Sequence, residues 1–156
     1  MDFVNCCYIH FNILKTLLKI DLGRILYDLG MVMSIRWFCR EFQKTYSTIS
    51  IEKVIEIEEN QVPDSLRTPI FRICQEALNN VAKHSKATVV NLFLQKKKKR
   101  IELTIRDNGQ GFDLRTIRGG LGLSTIKERT ELAGGVCTIA SGQETGTAIH
   151  CSWPAP

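Results

Sequence analysis

No GxxxxGK[ST] loop occurs in these 156 residues, and the glycines do not fall as GxGxxG after the first strand of a βαβ unit. The P-loop and Rossmann ways of holding a nucleotide are therefore disfavoured. Six cysteines are present (Cys6, Cys7, Cys39, Cys74, Cys137 and Cys151), yet no two form a CxxC pair. Most sit in apolar runs, where a thiol behaves as a small hydrophobe, and a reducing cytoplasm fits. Charge is not extreme: the net +5 is moderate, and much of it lies in one block, Lys96-Lys97-Lys98-Lys99-Arg100, between two alternating apolar runs. A solvated hairpin turn belongs there, and because no aromatics interleave with these cations, no nucleic-acid partner is expected. An uninterrupted membrane-length run is also missing. Met1 to Ile20 is apolar but is broken by Asn5, His10, Asn12 and Lys15, and no small-residue cleavage site follows, so it reads as a helix that packs against something.

What is present suits one globular unit with an appendage, since the length allows a single core and not two full ones. The 44% hydrophobic and 24% charged fractions argue against both disorder and a fibrous class. From Phe11 to about Tyr46 apolar residues recur at helical spacing, with Gly30 marking a break. Ile49 to Ile57 alternates as a strand with one wet face, and Asn60 to Pro63 is a loop. Asp64 or Thr68 is expected to cap the next helix, with Pro69 in its first turn and Ile70, Ile73, Cys74, Ala77, Leu78 and Val81 as its buried stripe. Val89 to Leu94 and Ile101 to Ile105 form a hairpin around the lysines. Leu121 to Leu132 is a helix ended by Gly134-Gly135, and Val136 to Ile139 and Thr147 to Cys151 close the chain as a strand pair. This order predicts an α+β fold, a two-layer α/β sandwich whose mixed, mostly antiparallel sheet carries helices on one face.

Two features carry chemistry. Glu76, Asn80, Lys83 and His84 are spaced by four, three and one residues, which aligns them along one side of a helix. A carboxylate there can orient a nucleophile, an amide oxygen can hold a hard cation such as Mg²⁺, and a lysine can neutralise phosphate. On their own they read first as a solvated helix face. The second feature is the turn Asp107-Asn108-Gly109-Gln110-Gly111-Phe112 after a strand, followed by Gly119-Gly120-Leu121-Gly122-Leu123 at the start of a helix. Gly109 and Gly111, lacking Cβ atoms, let backbone approach a planar base, and Asp107 can accept from the exocyclic amine of adenine. The free N–H groups at the start of the following helix suit phosphate oxygens.

Taken together, these segments resemble the GHKL (Bergerat-fold) ATPase superfamily. Phe71 to His84 resembles its N box, Asp107 to Phe112 its G1 box, Gly120 to Leu123 its G2 box, and Gly146-Thr147 its last glycine-threonine element. The wording QEALNN and KHS, the short lid and the segment Lys127-Glu128-Arg129 to Gly135 resemble sensor histidine kinases of the nitrate-sensor and degradation-sensor type, over roughly Leu22 to Pro154. The resemblance implies a catalytic domain that binds ATP and Mg²⁺. Asn80 matches the Mg²⁺-binding asparagine and Asp107 the adenine-reading aspartate. Gly109 and Gly111 match the base-side turn, Gly120, Leu121, Gly122 and Leu123 the phosphate-side turn, and Thr147 a threonine near the adenine that acts through water. Lys83 and His84 match positions facing the phosphates. Glu76 matches the acidic position that orients the incoming group, and Phe112 to Gly119 a lid.

The chain departs from the family at the acceptor. Its three histidines are His10, His84 and His150, and none is a histidine followed by an acid on a dimerisation helix. Ile25 to Gly30 resembles the end of the second dimerisation helix. Residues 1–46 are thus expected to be a remnant of the dimerisation region with its leading helix, and 47–156 the ATP-binding catalytic domain. The partners implied are the dimerisation and phosphoacceptor domain of a histidine kinase and, indirectly, a response regulator, with a homodimer through the N-terminal helix as a further option. Two other classes share the motifs. One is a non-catalytic nucleotide-binding regulatory module, a truncated pseudokinase. The other is an ATPase like those of DNA gyrase or mismatch repair, ranked last for want of a longer lid and a transducer domain.

Overall fold

The computed structural model describes residues 26–113 and 121–155. Three helices, α1 (Met31–Thr45), α2 (Asp64–Asn80) and α3 (Leu121–Leu132), pack on a five-stranded sheet of β1 (Ser50–Glu56), β2 (Val89–Lys97), β3 (Arg100–Asp107), β4 (Val136–Gly142) and β5 (Gly146–Pro154). Strand order is β1-β2-β3-β5-β4, with β1 parallel to β2 and every other pair antiparallel. This is the α+β architecture expected from the element order. The helices share one face because only one phase of each strand is apolar: Val90, Leu92 and Leu94 on β2, Ile101, Leu103 and Ile105 on β3, and Ile149, Cys151 and Trp153 on β5 are buried. Most of their neighbours in sequence are half-buried or exposed, with Ser152 the buried exception, and Val54 and Phe93, paired across β1 and β2, are exposed.

Helix α1 starts at Gly30, whose φ of +76° an L side chain rarely adopts. Its first amides are capped from a distance: Met31 and Val32 N–H donate to the two carboxylate oxygens of Glu59 at 2.8 and 2.9 Å. The buried face, Met31, Ile35, Phe38, Cys39 and Phe42, joins the same core as the sheet, and Phe38 meets Phe71 of α2 with ring centroids 5.9 Å apart. Truncating a ring buried like Phe71 costs about 3–5 kcal/mol. The segment N-terminal to residue 26, where the leading helix and His10 were placed, lies outside the described residues.

Helix α2 corrects one expectation. Neither Asp64 nor Thr68 caps it: Pro63 occupies the N-cap, no side chain supplies a cap hydrogen bond, and Asp64 is the first helical residue, paired with Arg67 at 2.9 Å. Pro69 therefore lies in the second turn. The carbonyl it leaves without a helical donor belongs to Ser65, which is exposed, so water takes the missing place at little cost. All six predicted stripe residues are buried. Beyond Asn80 the helix widens into a π-type turn, Val81–Ser85, and stops at Lys86, which takes the left-handed conformation. The lysine block contributes to β2 up to Lys97 and then turns over Lys98 and Lys99, with Lys98 at φ +55°.

Candidate functional site

Between α2, the turn after β3 and the start of α3 lies a cavity of about 570 Å³. Ile105 and Ile149, directly opposite one another on β3 and β5, give it an apolar floor. Glu76, Asn80, Lys83 and His84 line one side, Asp107, Gly111, Phe112 and Thr147 another, and Gly122 and Leu123 a third. Segments far apart in sequence thus converge on one space.

On the strand side the turn is held by its own backbone. Asp107 continues the inward phase of Ile101, Leu103 and Ile105, so its carboxylate emerges at the cavity where the apolar series ends. Oδ1 accepts the Gly109 N–H at 2.8 Å, and the Thr147 N–H also donates to the carboxylate. Burial nonetheless pushes the Asp107 carboxyl above its ordinary value, with those two donors opposing the rise. Asn108 turns away from the cavity: its Oδ1 accepts the N–H groups of Thr88 and Val89, each at 2.9 Å, and splices the turn to β2. Gln110 N–H donates to the Ser85 carbonyl and Gln110 Nε2 to the His84 carbonyl, both at 2.8 Å.

The glycines are required here by close approach. A Cβ on Gly109 would run into the Ser85 carbonyl, and one on Gly111, at φ +60°, into the Gly142 carbonyl. Ser141 completes the wall. Its hydroxyl accepts the Phe112 N–H at 3.0 Å and lies 3.0 Å from both the Gly146 carbonyl and Thr147 Oγ1.

On the helix side the polar groups are less complete. Asn80 Nδ2 is buried and has no hydrogen-bond partner among the described residues. A Cβ on Gly122 would stand 2.5 Å from Glu76 Oε1 and 2.7 Å from Asn80 Oδ1, so glycine lets the first turn of α3 lie over these two side chains as they stand. Lys83 and His84 are exposed at the rim.

Of the residues expected at the site, Glu76, Asn80, Lys83, His84, Asp107, Gly111, Gly122, Leu123 and Thr147 line the cavity. Gly109 is buried in the turn behind it. Leu121 is the first residue of α3, while Gly120 and most of the lid segment, from residue 114 on, lie outside the described residues. His150 is not part of the cavity: it sits on the outer sheet face, hydrogen-bonded to Thr104 Oγ1 at 2.9 Å. Ser85, Ser141, Ile105 and Ile149 were not picked out from the sequence. A signal for Ser141 exists, because it shares the inward phase of Cys137 and Ile139 and faces Thr147 across the ladder, a polar pair where an apolar one is the rule. The two isoleucines carry no such mark.

Residues 65–156 match the family described as "Histidine kinase-, DNA gyrase B-, and HSP90-like ATPase". The signal transduction histidine-protein kinase/phosphatase UhpB of Salmonella typhimurium is 34% identical over 137 residues, covering 85% of this chain and 27% of that protein. The kinase/phosphatase DegS of Brevibacillus brevis is 32% identical over 136 residues, covering 86% of this chain and 35% of that protein. The chain thus spans about a quarter to a third of the length of these curated relatives. Among solved structures, the mycobacterial sensor histidine kinase MprB superposes with a TM-score of 0.60 at 25% identity, over 80% of this chain and 94% of that one. The histidine kinase domain of an Erythrobacter litoralis blue-light activated histidine kinase gives 0.64 at 19% identity, over 77% and 58%, a likeness of fold alone.

Proposed function

We propose, from the premise that this chain belongs to the histidine kinase-, DNA gyrase B- and HSP90-like ATPases, that it binds Mg²⁺ and ATP and presents the γ-phosphoryl group to a histidine on another domain or polypeptide. The observation that carries this reading is the convergence of Asp107, Asn80 and Gly122 on one cavity of nucleotide size.

In this reading the adenine lies over Ile105 and Ile149 and its exocyclic amine donates to the Asp107 carboxylate, whose orientation the Gly109 and Thr147 N–H groups hold in advance. Thr147 Oγ1, tied to Ser141, reaches the base through water. The residues present suit Mg²⁺: the buried, unpartnered Asn80 amide needs only its oxygen turned inward to supply a hard ligand. A bound Mg²⁺ supplies charge neutralisation on the phosphate oxygens. Lys83 and His84 add to it from the rim, and the N–H groups at the start of α3, with Gly120 and Gly122, receive phosphate oxygens. Glu76 orients the incoming imidazole. Catalysis is then mainly placement and electrostatics.

The acceptor is the dimerisation and phosphoacceptor domain of a histidine kinase, with a response regulator downstream, and the setting is the cytoplasm or the cytoplasmic part of a membrane sensor. Among the described residues no helix is long and apolar enough to cross a membrane. We assign residues 1–46 to the dimerisation side of the molecule, where self-association would occur, and 47–156 to the nucleotide side.

Incubation with radiolabelled ATP, Mg²⁺ and an intact kinase dimerisation domain tests the proposal. Label on the acceptor histidine is the expected result. ATP binding without transfer would shift the reading to a regulatory nucleotide module, and no binding at all would overturn both.

A further inference from the structure

We propose that Cys137 and Cys151 form an oxidisable pair, a site at which a hydroperoxide closes a disulfide between β4 and β5 under helix α3. The two residues are directly opposite in the antiparallel ladder. Opposed residues there have Cα atoms about 4.5–5.5 Å apart, inside the span of about 4.4–6.8 Å that a disulfide bridges without backbone movement. Both side chains point to the helix face, and the sulfurs already lie 3.6 Å apart, with the Cys151 thiol directed at Cys137. Thr130 of α3 sits over them, its hydroxyl 3.3 Å from Cys151 Sγ and 2.8 Å from the Ile126 carbonyl.

The pair is asymmetric. Cys151 has no exposed surface, whereas Cys137 retains 9% and lies on β4, the edge of the sheet, so a small oxidant meets it first. The hydrogen bond from Cys151 holds the Cys137 thiol below its ordinary value, and nearby Lys127 acts in the same direction; the same bond, together with burial, pushes Cys151 up. Cys39 and Cys74 supply the contrast. They are fully buried on α1 and α2, and burial pushes both thiols up, Cys39 to about 11.

The chemistry closes in two displacements. The Cys137 thiolate attacks one peroxide oxygen, the O–O bond breaks, and the departing oxygen leaves as water once it takes up the thiol's proton. Cys151 sulfur then attacks the sulfenic sulfur of Cys137; the S–S bond forms, the S–O bond breaks, and hydroxide departs with the Cys151 proton as a second water. The thiols lose two hydrogens and two electrons, and hydrogen peroxide is reduced to two waters. In a reducing compartment such a bond would be transient, as suits a sensor.

The full chain, treated natively with hydrogen peroxide, then alkylated in denaturant and mapped by mass spectrometry, tests this directly. The expected product is one cross-link joining the Cys137 and Cys151 peptides with loss of two hydrogens, reversed by dithiothreitol and formed at least about tenfold faster than Cys39 or Cys74 is lost. A Cys74–Cys151 cross-link, or sulfinic acid on Cys137 with Cys151 still alkylatable, would overturn it, as would both thiols staying reduced while Cys6 or Cys7 oxidises. Cys151→Ser should let dimedone trap a sulfenic acid on Cys137, which wild type should not show. If that variant unfolds, Cys137→Ser at the sheet edge serves instead, and Cys151 must then resist peroxide.

Discussion

The two sides of the cavity are finished to different degrees. The turn from Asp107 to Phe112 satisfies itself: its amides and carbonyls find Ser85, Ser141, the Asp107 carboxylate and Glu144 N–H, and two of its glycines are packed against backbone. The helix side, from Glu76 to His84, leaves a buried amide without a partner among the described residues and places the exposed Lys83 and His84 side chains at the rim. The difference suggests a division of labour. The base side is shaped before any ligand arrives, whereas the phosphate side holds a buried amide whose partner a ligand would bring. It predicts that damage to the packed backbone of the first side shows in stability and binding together, and damage to the second in binding alone.

The largest effect is expected from Gly111→Ala. With φ at +60° and the Gly142 carbonyl in the path of a Cβ, the turn must rearrange, costing about 2 kcal/mol or more in urea denaturation and abolishing ATP binding in calorimetry. Retention of both would show that the strand side is softer than argued. On the helix side, Asn80→Ala should leave stability within about 1 kcal/mol, because it removes an atom with no partner. ATP affinity in the presence of Mg²⁺ should fall more than about tenfold, and the difference between Mg²⁺ and EDTA should disappear. A variant that unfolds while keeping its Mg²⁺ dependence would reverse the comparison.

Asp107→Asn separates the two roles within the strand side. An asparagine oxygen can still accept the Gly109 N–H, so the melting temperature should hold, while replacing the charged acceptor should weaken ATP binding by about ten- to a hundredfold. Unchanged affinity would remove the adenine assignment. A smaller, pH-dependent signature accompanies it. Because burial raises the Asp107 value in the folded protein, the native state binds its proton more readily than the unfolded chain does. Wild-type stability relative to Asp107→Asn should therefore rise as pH falls through the window between the ordinary carboxylate value and the raised one, and level off below it. Denaturation series at neutral and mildly acidic pH would read this, and the opposite slope would mean that the N–H donors outweigh burial. Lys83→Ala should be the mildest: a severalfold loss of ATP affinity at low salt that fades at high salt, since the side chain is exposed.

Much of the fold was legible because each strand is amphipathic and each helix keeps its apolar stripe. The stripe of α2 and the start and end of α3 came directly from spacing and from Gly134-Gly135. The capping of α2 did not, because Pro63 holds the N-cap position and Asp64, already inside the helix, turns its carboxylate to Arg67 and not to the helix N–H groups. The cap of α1 is a carboxylate 28 residues away, which no local pattern announces. At the site, Asp107 stood out as a carboxylate in a glycine-rich turn, and Thr147 through its resemblance to the family's last glycine-threonine element. Ile105 and Ile149 did not, since nothing in an alternating strand says which isoleucine will floor a cavity.

By itself the sequence determined which residues of each element face the core and which residue types are brought to the turns, because those depend on periods of two and of about 3.6 residues along a single segment. It also carried the motifs by which the family is recognised. Only the tertiary structure decided that Gly122 lies against the ends of Glu76 and Asn80. It alone set Gly111 against Gly142, tied Ser141 to the turn after β3 as well as to β5, and brought Cys137 and Cys151 sulfur to sulfur. Each of these is an approach of a few ångströms between atoms that packing, and not spacing along the chain, brings together.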